Sequence, residues 1–351
     1  MIATFQPYLL HFKKASGTSR GILKTKETYF IILKDNHKTG IGECGLFRGL
    51  SVDDRPDFEA KLQWVCKHIQ LGLEKLLESL IEYPSIQFGL EQAFASLQGQ
   101  SPFNLYPSEF TEGKASIPIN GLIWMGTQAF MKDQIKEKLN AGFDCLKMKI
   151  GAIDFNTELH LLKSIRQEFS VSDIELRVDA NGAFTPENAL EKLKRLSDYN
   201  LHSIEQPIKQ GQFEAMAKLC EQTPLPIALD EELIGVFSVT KQTELLQMIR
   251  PQYIILKPSL VGGWSGSQQW INIADKHKIG SWITSALESN VGLNAIAQWT
   301  YTLKSHLPQG LGTGSLFTNN FESPLQVNNG TLQYNVNQDW NMTNLDISLK
   351  K

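Results

Sequence analysis

From Ser116 onward the chain repeats one pattern, a short apolar run followed by a stretch of helical periodicity, which restricts it to parallel strands joined by crossover helices. The candidate strands are 117–124, 145–150, 175–180, 203–207, 226–231, 253–257, 281–285 and 310–313. Eight strands in this order suggest a closed α/β barrel. The helix after the third strand carries clear local signals: Thr185 as N-cap, Pro186 at the first helical position, and Ala189, Leu190, Leu193 and Leu196 on one face.

The first part of the chain reads differently. Residues 4–34 are strand-like, end in a turn over 35–40 and continue into a partner strand at 41–44. Helical spacing then runs through 58–80, and Pro84-Ser85 opens a second helix reaching Ala95. Beyond Pro324, residues 325–336 read as a hairpin around Asn329-Gly330, expected to pack back on the first module. The expected division is an α+β module at 1–110, a barrel at 111–320 and a returning C-terminal segment at 321–351.

The 34 basic and 37 acidic residues give a formal net charge of -3, which supplies no positive field for nucleic acid or an anionic membrane. A small-molecule partner is expected instead. Cys44, Cys66, Cys145 and Cys220 are far apart with no CxxC pair, so neither a zinc knuckle nor a disulfide framework is indicated and a reducing cytoplasm is expected. Met1 to Lys14 lacks a sustained apolar core, and no run of about 18 apolar residues occurs anywhere, so neither export nor a membrane span is expected. The sequence sets no oligomeric state.

Strand residues alternate between barrel interior and helix layer. In Leu146-Lys147-Met148-Lys149-Ile150 the inward set is two lysines; in Leu176-Arg177-Val178-Asp179-Ala180 it is Arg177 and Asp179. Later strands end in Glu205, Asp230 and Lys257, at intervals of 26, 25 and 27 residues counted from Asp179. Each interval is one βα unit, so the charges are expected on neighbouring strands at one height, on the C-terminal face where such barrels work. Three carboxylates converging there repel one another unless a cation joins them. Hard oxygen ligands without His or Cys favour Mg2+, with Mn2+ as the other candidate. Lysines on either side then suggest proton abstraction next to a carboxylate, with Lys149 as base and Lys257 plus the metal stabilising an enediolate. A free lysine has a pKa of roughly 10.4. Lys147 and the cation are expected to lower that of Lys149.

These segments, together with Ile41-Gly42-Glu43, Ile119-Asn120-Gly121, Ala180-Asn181-Gly182, Glu205-Gln206-Pro207, Asp230-Glu231 and Gly310 to Phe317, resemble the muconate-lactonizing-enzyme subgroup of the enolase superfamily, particularly its o-succinylbenzoate synthases. The resemblance implies a modified TIM barrel of (β/α)7β type, with an N-terminal α+β capping domain completed by the C-terminal segment. It implies Asp179, Glu205 and Asp230 as Mg2+ ligands, Lys149 as acid and base, and Lys257 across the substrate. Arg177, Asn181 and Glu231 would orient substrate or ligands. Ser285, with backbone from Gly312 through Thr313 to Gly314, would meet the succinyl or carboxylate end of the substrate, and loops 16–21 and 47–51 would close over the site. The implied reaction is dehydration of 2-succinyl-6-hydroxy-2,4-cyclohexadiene-1-carboxylate to 2-succinylbenzoate, on the way to menaquinone.

Each residue has a plainer reading. Lys147 and Lys149 alone fit the wet face of an edge strand, and Asp179 or Glu205 alone fits a helix cap or ion pair. The regular spacing is what those roles leave unexplained. Arg177 could simply neutralise the carboxylates, Ser285 could be a small core residue, and the seven scattered histidines show no ligand spacing. Among related reactions, a dipeptide epimerase would carry Asp-x-Asp where Gly312-Thr313-Gly314 stands, and a sugar-acid dehydratase would need a histidine within 281–289. N-succinylamino acid racemisation remains the closest competitor, and a non-catalytic barrel that only binds is the alternative from another class.

Overall fold

The computed structural model describes residues 1–18, 21–99, 101–343 and 345. Three antiparallel strands come first, β1 (Ile2–Thr18), β2 (Gly21–Asp35) and β3 (Lys38–Cys44), hydrogen-bonded in that order. The turn between β2 and β3 is only Asn36-His37, tighter than the expected 35–40, because Lys34 pairs with Thr39 and Leu33 with Gly40. Asn36 takes the left-handed conformation at φ +54°, which asparagine tolerates.

The expected helix at 58–80 divides into α1 (Phe58–Lys67), a short 3-10 turn (Ile69–Leu71) and α2 (Leu73–Glu78). Gly72, at φ +81°, makes the break that a continuous apolar spacing conceals. Helix α3 (Pro84–Gln98) lies directly on β3, and glycines set that separation. A Cβ on Gly42 would stand 1.9 Å from the Gly89 carbonyl oxygen, and one on Gly89 would meet Cys44 Sγ at 2.4 Å. Gly42→Ala is therefore expected to destabilise the protein by about 3 kcal/mol through overpacking, read as a lower urea midpoint at unchanged m-value.

Strand β4 (Ile117–Pro118) is followed by β5 (Gly121–Ile123), α4 (Gln128–Asn140), β6 (Cys145–Lys149), α5 (Phe155–Glu168), β7 (Glu175–Asp179), α6 (Pro186–Ser197), β8 (Ser203–Glu205), α7 (Phe213–Gln222), β9 (Ile227–Leu229), α8 (Val239–Ile249), β10 (Tyr253–Leu256), α9 (Pro258–Val261), α10 (Gly263–Lys276), β11 (Gly280–Ile283) and α11 (Asn290–Thr302). Seven strands, β5 to β11, form one parallel sheet in chain order. The eighth expected strand is reduced to two bridges, Ile119 with Gln309 and Thr284 with Gly310, which join the two edges. Its glycines explain the close approach: a Cβ on Gly310 would strike Thr284 Oγ1 at 2.5 Å. Helix α6 begins with the expected Thr185, whose side chain forms a reciprocal cap with Asn188.

The expected first barrel strand is split at Ile119-Asn120. Only β5 enters the barrel; β4 pairs below it with the hairpin β12 (Leu325–Asn328) and β13 (Thr331–Tyr334), which turns through Asn329 and Gly330 at positive φ. The hairpin thus closes the base of the barrel instead of packing on the first module, because β4 offers it an edge to pair with. Residues beyond it do reach the first module. Trp340 stacks on Phe103 at 4.1 Å between ring centroids, and Leu345 packs with Phe30, Ile32 and Phe321. Among the described residues no helix is long and apolar enough to cross a membrane.

Candidate active site

The five residues of β6 are all buried, yet two of them are lysines. Alternation turns Lys147 and Lys149 into the barrel, and the register with β7 sets Lys149 beside Asp179 and Lys147 beside Arg177. Asp179 in turn stands beside Glu205 on β8. These three strands meet the site on one rung. The next two do not: Glu205 pairs with Ala228 and Leu229 with Ile254, so Asp230 lies two residues further along than Glu205, and Lys257 two further again. Two steps of zero and two of two average one residue per strand, which is the stagger of an eight-stranded barrel with a shear of eight. Groups on different rungs therefore stay level on the barrel axis. The expected equal height is a property of the tilted barrel and not of the hydrogen-bond ladder.

Lysines and carboxylates pair directly. Lys149 Nζ donates to Asp179 Oδ2 at 2.5 Å and to Asn181 Oδ1 at 2.7 Å. Lys147 Nζ donates to Glu205 Oε2 at 2.8 Å and lies 3.7 Å from Asp179 Oδ2. Lys257 Nζ donates to Asp230 Oδ2 at 2.5 Å. Burial opposes the charge on Lys147 and Lys257, but Glu205 and Asp179 hold the first above its ordinary value, and Asp230 and Glu231 do so for the second. Burial likewise opposes ionisation of Asp179, yet Lys149 and Lys147 keep its carboxyl well below the usual carboxylate range. Glu205 goes the other way: burial, with the Asp179 charge beside it, pushes it up to about 8 despite Lys147.

Asn181 follows β7 in a left-handed conformation, φ +44°, and its amide nitrogen Nδ2 donates to Glu231 Oε1 at 3.0 Å. Glu231 begins the turn that ends β9. Arg177 lies elsewhere. It points inward one layer below Asp179, donates to Glu175 Oε1 at 2.7 Å and to the Pro308 carbonyl at 2.9 Å, and covers the Trp282 ring. With 0% exposure it neither lines the cleft nor neutralises the carboxylate row, because Glu175 two residues earlier on the same inward face captures it.

The cleft above the row is lined by all three lysines, by Ser285, Gly312 and Thr313, and by an apolar rim that includes Leu23, Phe47, Leu50 and Trp124. Phe47 and Leu50 belong to the expected 47–51 closing loop, which Ser51 fastens by accepting from the Phe47 amide at 2.8 Å. In the other expected loop, 16–21, Ser19 and Arg20 lie outside the described residues. The Ser285 hydroxyl is already engaged: it donates to Glu288 at 2.6 Å and accepts from Thr313 and from the Leu287 amide. Sequence reasoning gave no role to three buried neighbours. Asn120 lines the cleft with an Oδ1 that has no partner among the described residues, Gln206 accepts from the Asp230 amide at 3.2 Å, and Glu288 holds Ser285. An inward-facing Asn on the first strand and an amide next to Glu205 were the available signals.

Among the described residues no three His, Cys, Asp or Glu side chains surround one metal-sized position, since each lysine draws a carboxylate to itself. The donor chemistry nevertheless fits a hard cation. Asp179, Glu205 and Asp230 are at most 2% exposed and come from consecutive strands, and Glu205 Oε1 has no hydrogen-bond partner among the described residues.

Comparison with known proteins agrees with this geometry. Residues 130–337 match the family described as Enolase C-terminal domain-like. The chain is 47% identical to the o-succinylbenzoate synthase of Desulfotalea psychrophila, across 92% of this chain and 96% of that one. It is 29% identical to the L-Ala-D/L-Glu epimerase of Bacillus subtilis, across 46% of this chain and 43% of that one. The crystal structure of MenC from Desulfotalea psychrophila superposes with a TM-score of 0.85 at 43% identity, covering 95% of this chain and 99% of that one. That of the dipeptide epimerase from Enterococcus faecalis, complexed with Mg and the dipeptide L-Leu-L-Tyr, gives 0.81 at 20% identity, covering 95% and 96%, a likeness of fold. By site, fold and sequence alike, the chain belongs to the enolase superfamily, in the muconate-lactonizing-enzyme subgroup that holds the o-succinylbenzoate synthases.

Proposed function

We propose that this chain is an o-succinylbenzoate synthase, a lyase that removes water from 2-succinyl-6-hydroxy-2,4-cyclohexadiene-1-carboxylate to give 2-succinylbenzoate on the route to menaquinone in the cytoplasm. The observation that carries the reading is the 47% identity to an o-succinylbenzoate synthase across nearly the whole chain. The row Lys149, Asp179, Glu205, Asp230, Lys257 supports the chemistry, because it ends in a lysine on either side.

Asp179, Glu205 and Asp230 would hold Mg2+, with Mn2+ as a substitute. When bound, the cation would supply positive charge to offset these three carboxylates and the substrate carboxylate. Lys149, as the neutral amine, accepts the proton α to the ring carboxylate; the C–H electron pair is delocalised into that carboxylate, beside Lys257. The Lys149 ammonium then gives the same proton to the departing hydroxyl, the C–O bond breaks, water leaves and the ring becomes aromatic. Asn181 and Glu231 keep Lys149 aimed between the two positions. Leu23, Phe47, Leu50 and Trp124 surround the ring and exclude water.

The test is turnover of the cyclohexadiene substrate with added Mg2+, followed by the absorbance change on aromatisation. In parallel, N-succinylamino acids are incubated in deuterated water. Dehydration is expected to be the faster reaction, and α-carbon exchange outpacing it would make the chain a racemase.

A further inference from the structure

The inner face of the barrel divides into two arcs. Asp179, Glu205 and Asp230 come from β7, β8 and β9, with Lys149 on β6 and Lys257 after β10 at either end. What remains of the circle is β5, segment 309–313 and β11, so the part of a substrate that does not react lies against these. No residue of this second arc is charged. Two of its side chains are buried with their polar atoms unsatisfied. Asn120, 5% exposed, precedes β5 and shares the inward face of Leu122, which pairs with Lys147. Thr284, 7% exposed, follows β11, and its amide donates to the Leu256 carbonyl at 2.9 Å, which sets it beside Lys257. Both line the cleft. Among the described residues, Asn120 Oδ1 and Thr284 Oγ1 are the only buried side-chain oxygens of the cleft lining without a hydrogen-bond partner. The nearby hydroxyls of Ser285 and Thr313 are already engaged, with Glu288 and with each other.

Gly310 stands between these two residues. Gln309 bridges Ile119 and accepts from the Asn120 amide at 3.0 Å, and Gly310 itself bridges Thr284. Neighbouring strands lie about 4.8 Å apart, so Asn120 and Thr284 flank a gap of about 10 Å with no side chain between them. The space depends on the glycine, since a Cβ at this position would lie 2.5 Å from Thr284 Oγ1. The result is a notch in the cleft with one neutral hydrogen-bonding group on each side. It suits an uncharged oxygen and rejects a carboxylate, because burying a charge without a partner is costly. In the substrate proposed above, the ring carboxylate would face Mg2+ and the departing hydroxyl would face Lys149. The neutral oxygen left over is the ketone of the succinyl chain.

We propose that Asn120 and Thr284 form a carbonyl-binding notch, opened by Gly310, that receives the succinyl ketone and makes these two residues determinants of specificity. The Thr284 hydroxyl donates to one lone pair of the ketone oxygen, and the Asn120 amide, turned to present its nitrogen, donates to the other. A ligand without the carbonyl leaves both groups unsatisfied and is disfavoured for that reason. The identity of the carbonyl rests on the dehydratase reading above.

The test is titration calorimetry with Mg2+ present, using two ligands: 2-succinylbenzoate, and the analogue in which a methylene group replaces its ketone, 4-(2-carboxyphenyl)butanoate. The parent protein is compared with Thr284→Val and Asn120→Leu, substitutions that keep size and remove the polar atoms. The parent is expected to bind the analogue about 30-fold or more weakly than 2-succinylbenzoate. Each variant is expected to lose about tenfold in affinity for 2-succinylbenzoate, the worth of one hydrogen bond to a buried group, and less than about threefold for the analogue. Equal losses for the two ligands would mean that the substitutions disturb the cleft in general, and that result overturns the proposal. So does unchanged affinity for 2-succinylbenzoate, the outcome if the notch holds only a water molecule. Should Asn120→Leu fail to fold, Thr284→Val decides alone, because Oγ1 has no hydrogen bond within the described residues to lose. The parent protein separates the two readings. Binding of both ligands with equal affinity keeps the dehydratase reading and removes the notch, whereas binding of neither removes the dehydratase reading and the notch with it.

Discussion

Lys149→Ala is expected to lower kcat for dehydration by about 10³- to 10⁴-fold, near the upper range for loss of a general acid and base, with the fold retained. The effect should be large because one amine serves both half-reactions. The substitution also frees Asp179 from its 2.5 Å partner while Lys147 remains 3.7 Å away to share its charge, so the protein should still fold. Circular dichroism and a single-turnover assay check the two halves of the expectation. Turnover within tenfold of the parent would remove Lys149 from the chemistry. Deuterium exchange at the α-carbon should disappear together with dehydration, since both begin with the same proton.

Removing divalent metal should be as damaging. Chelation is expected to abolish turnover and added Mg2+ to restore it. Glu205→Gln is expected to weaken Mg2+ binding by about 100-fold or more, since even groups behind metal ligands are worth 10- to 100-fold. Titration calorimetry reads the affinity directly, without the reaction. Glu205 is the informative choice because Oε1 has no partner among the described residues while Oε2 holds Lys147. Glutamine keeps an oxygen for Lys147 and surrenders the charge. Unchanged Mg2+ affinity in this variant would place the metal elsewhere.

Much of this site was legible because strand alternation and the βα interval are both rigid. Lys147, Lys149, Asp179, Glu205, Asp230 and Lys257 could be placed on the inner face from period and spacing alone. What spacing does not carry is which inward charge reaches which partner. Arg177 has the same parity as Asp179, but Glu175 and the Trp282 ring hold it one layer lower. Ser285 has the expected position and an unexpected occupation, because Glu288, three residues further along the same turn, takes its hydroxyl. The split first strand and the hairpin at the barrel base were hidden for a related reason: edge pairing is decided between segments more than 200 residues apart. Gly72 was visible, but an uninterrupted apolar spacing on both sides outweighed it.

The register steps along the charged row constrain how such a chain can change in length. Both step sizes are even, so every strand presents its charge to the interior, and a change of one residue within a strand would swing that charge into the helix layer. Loops are free of this parity. Insertions of odd or even length can therefore accumulate between Gln222 and Ile227, or between Ile249 and Tyr253, while within β9 or β10 only changes in pairs preserve the row. Relatives that differ in overall length should thus have drifted in their connections and kept their strands in step.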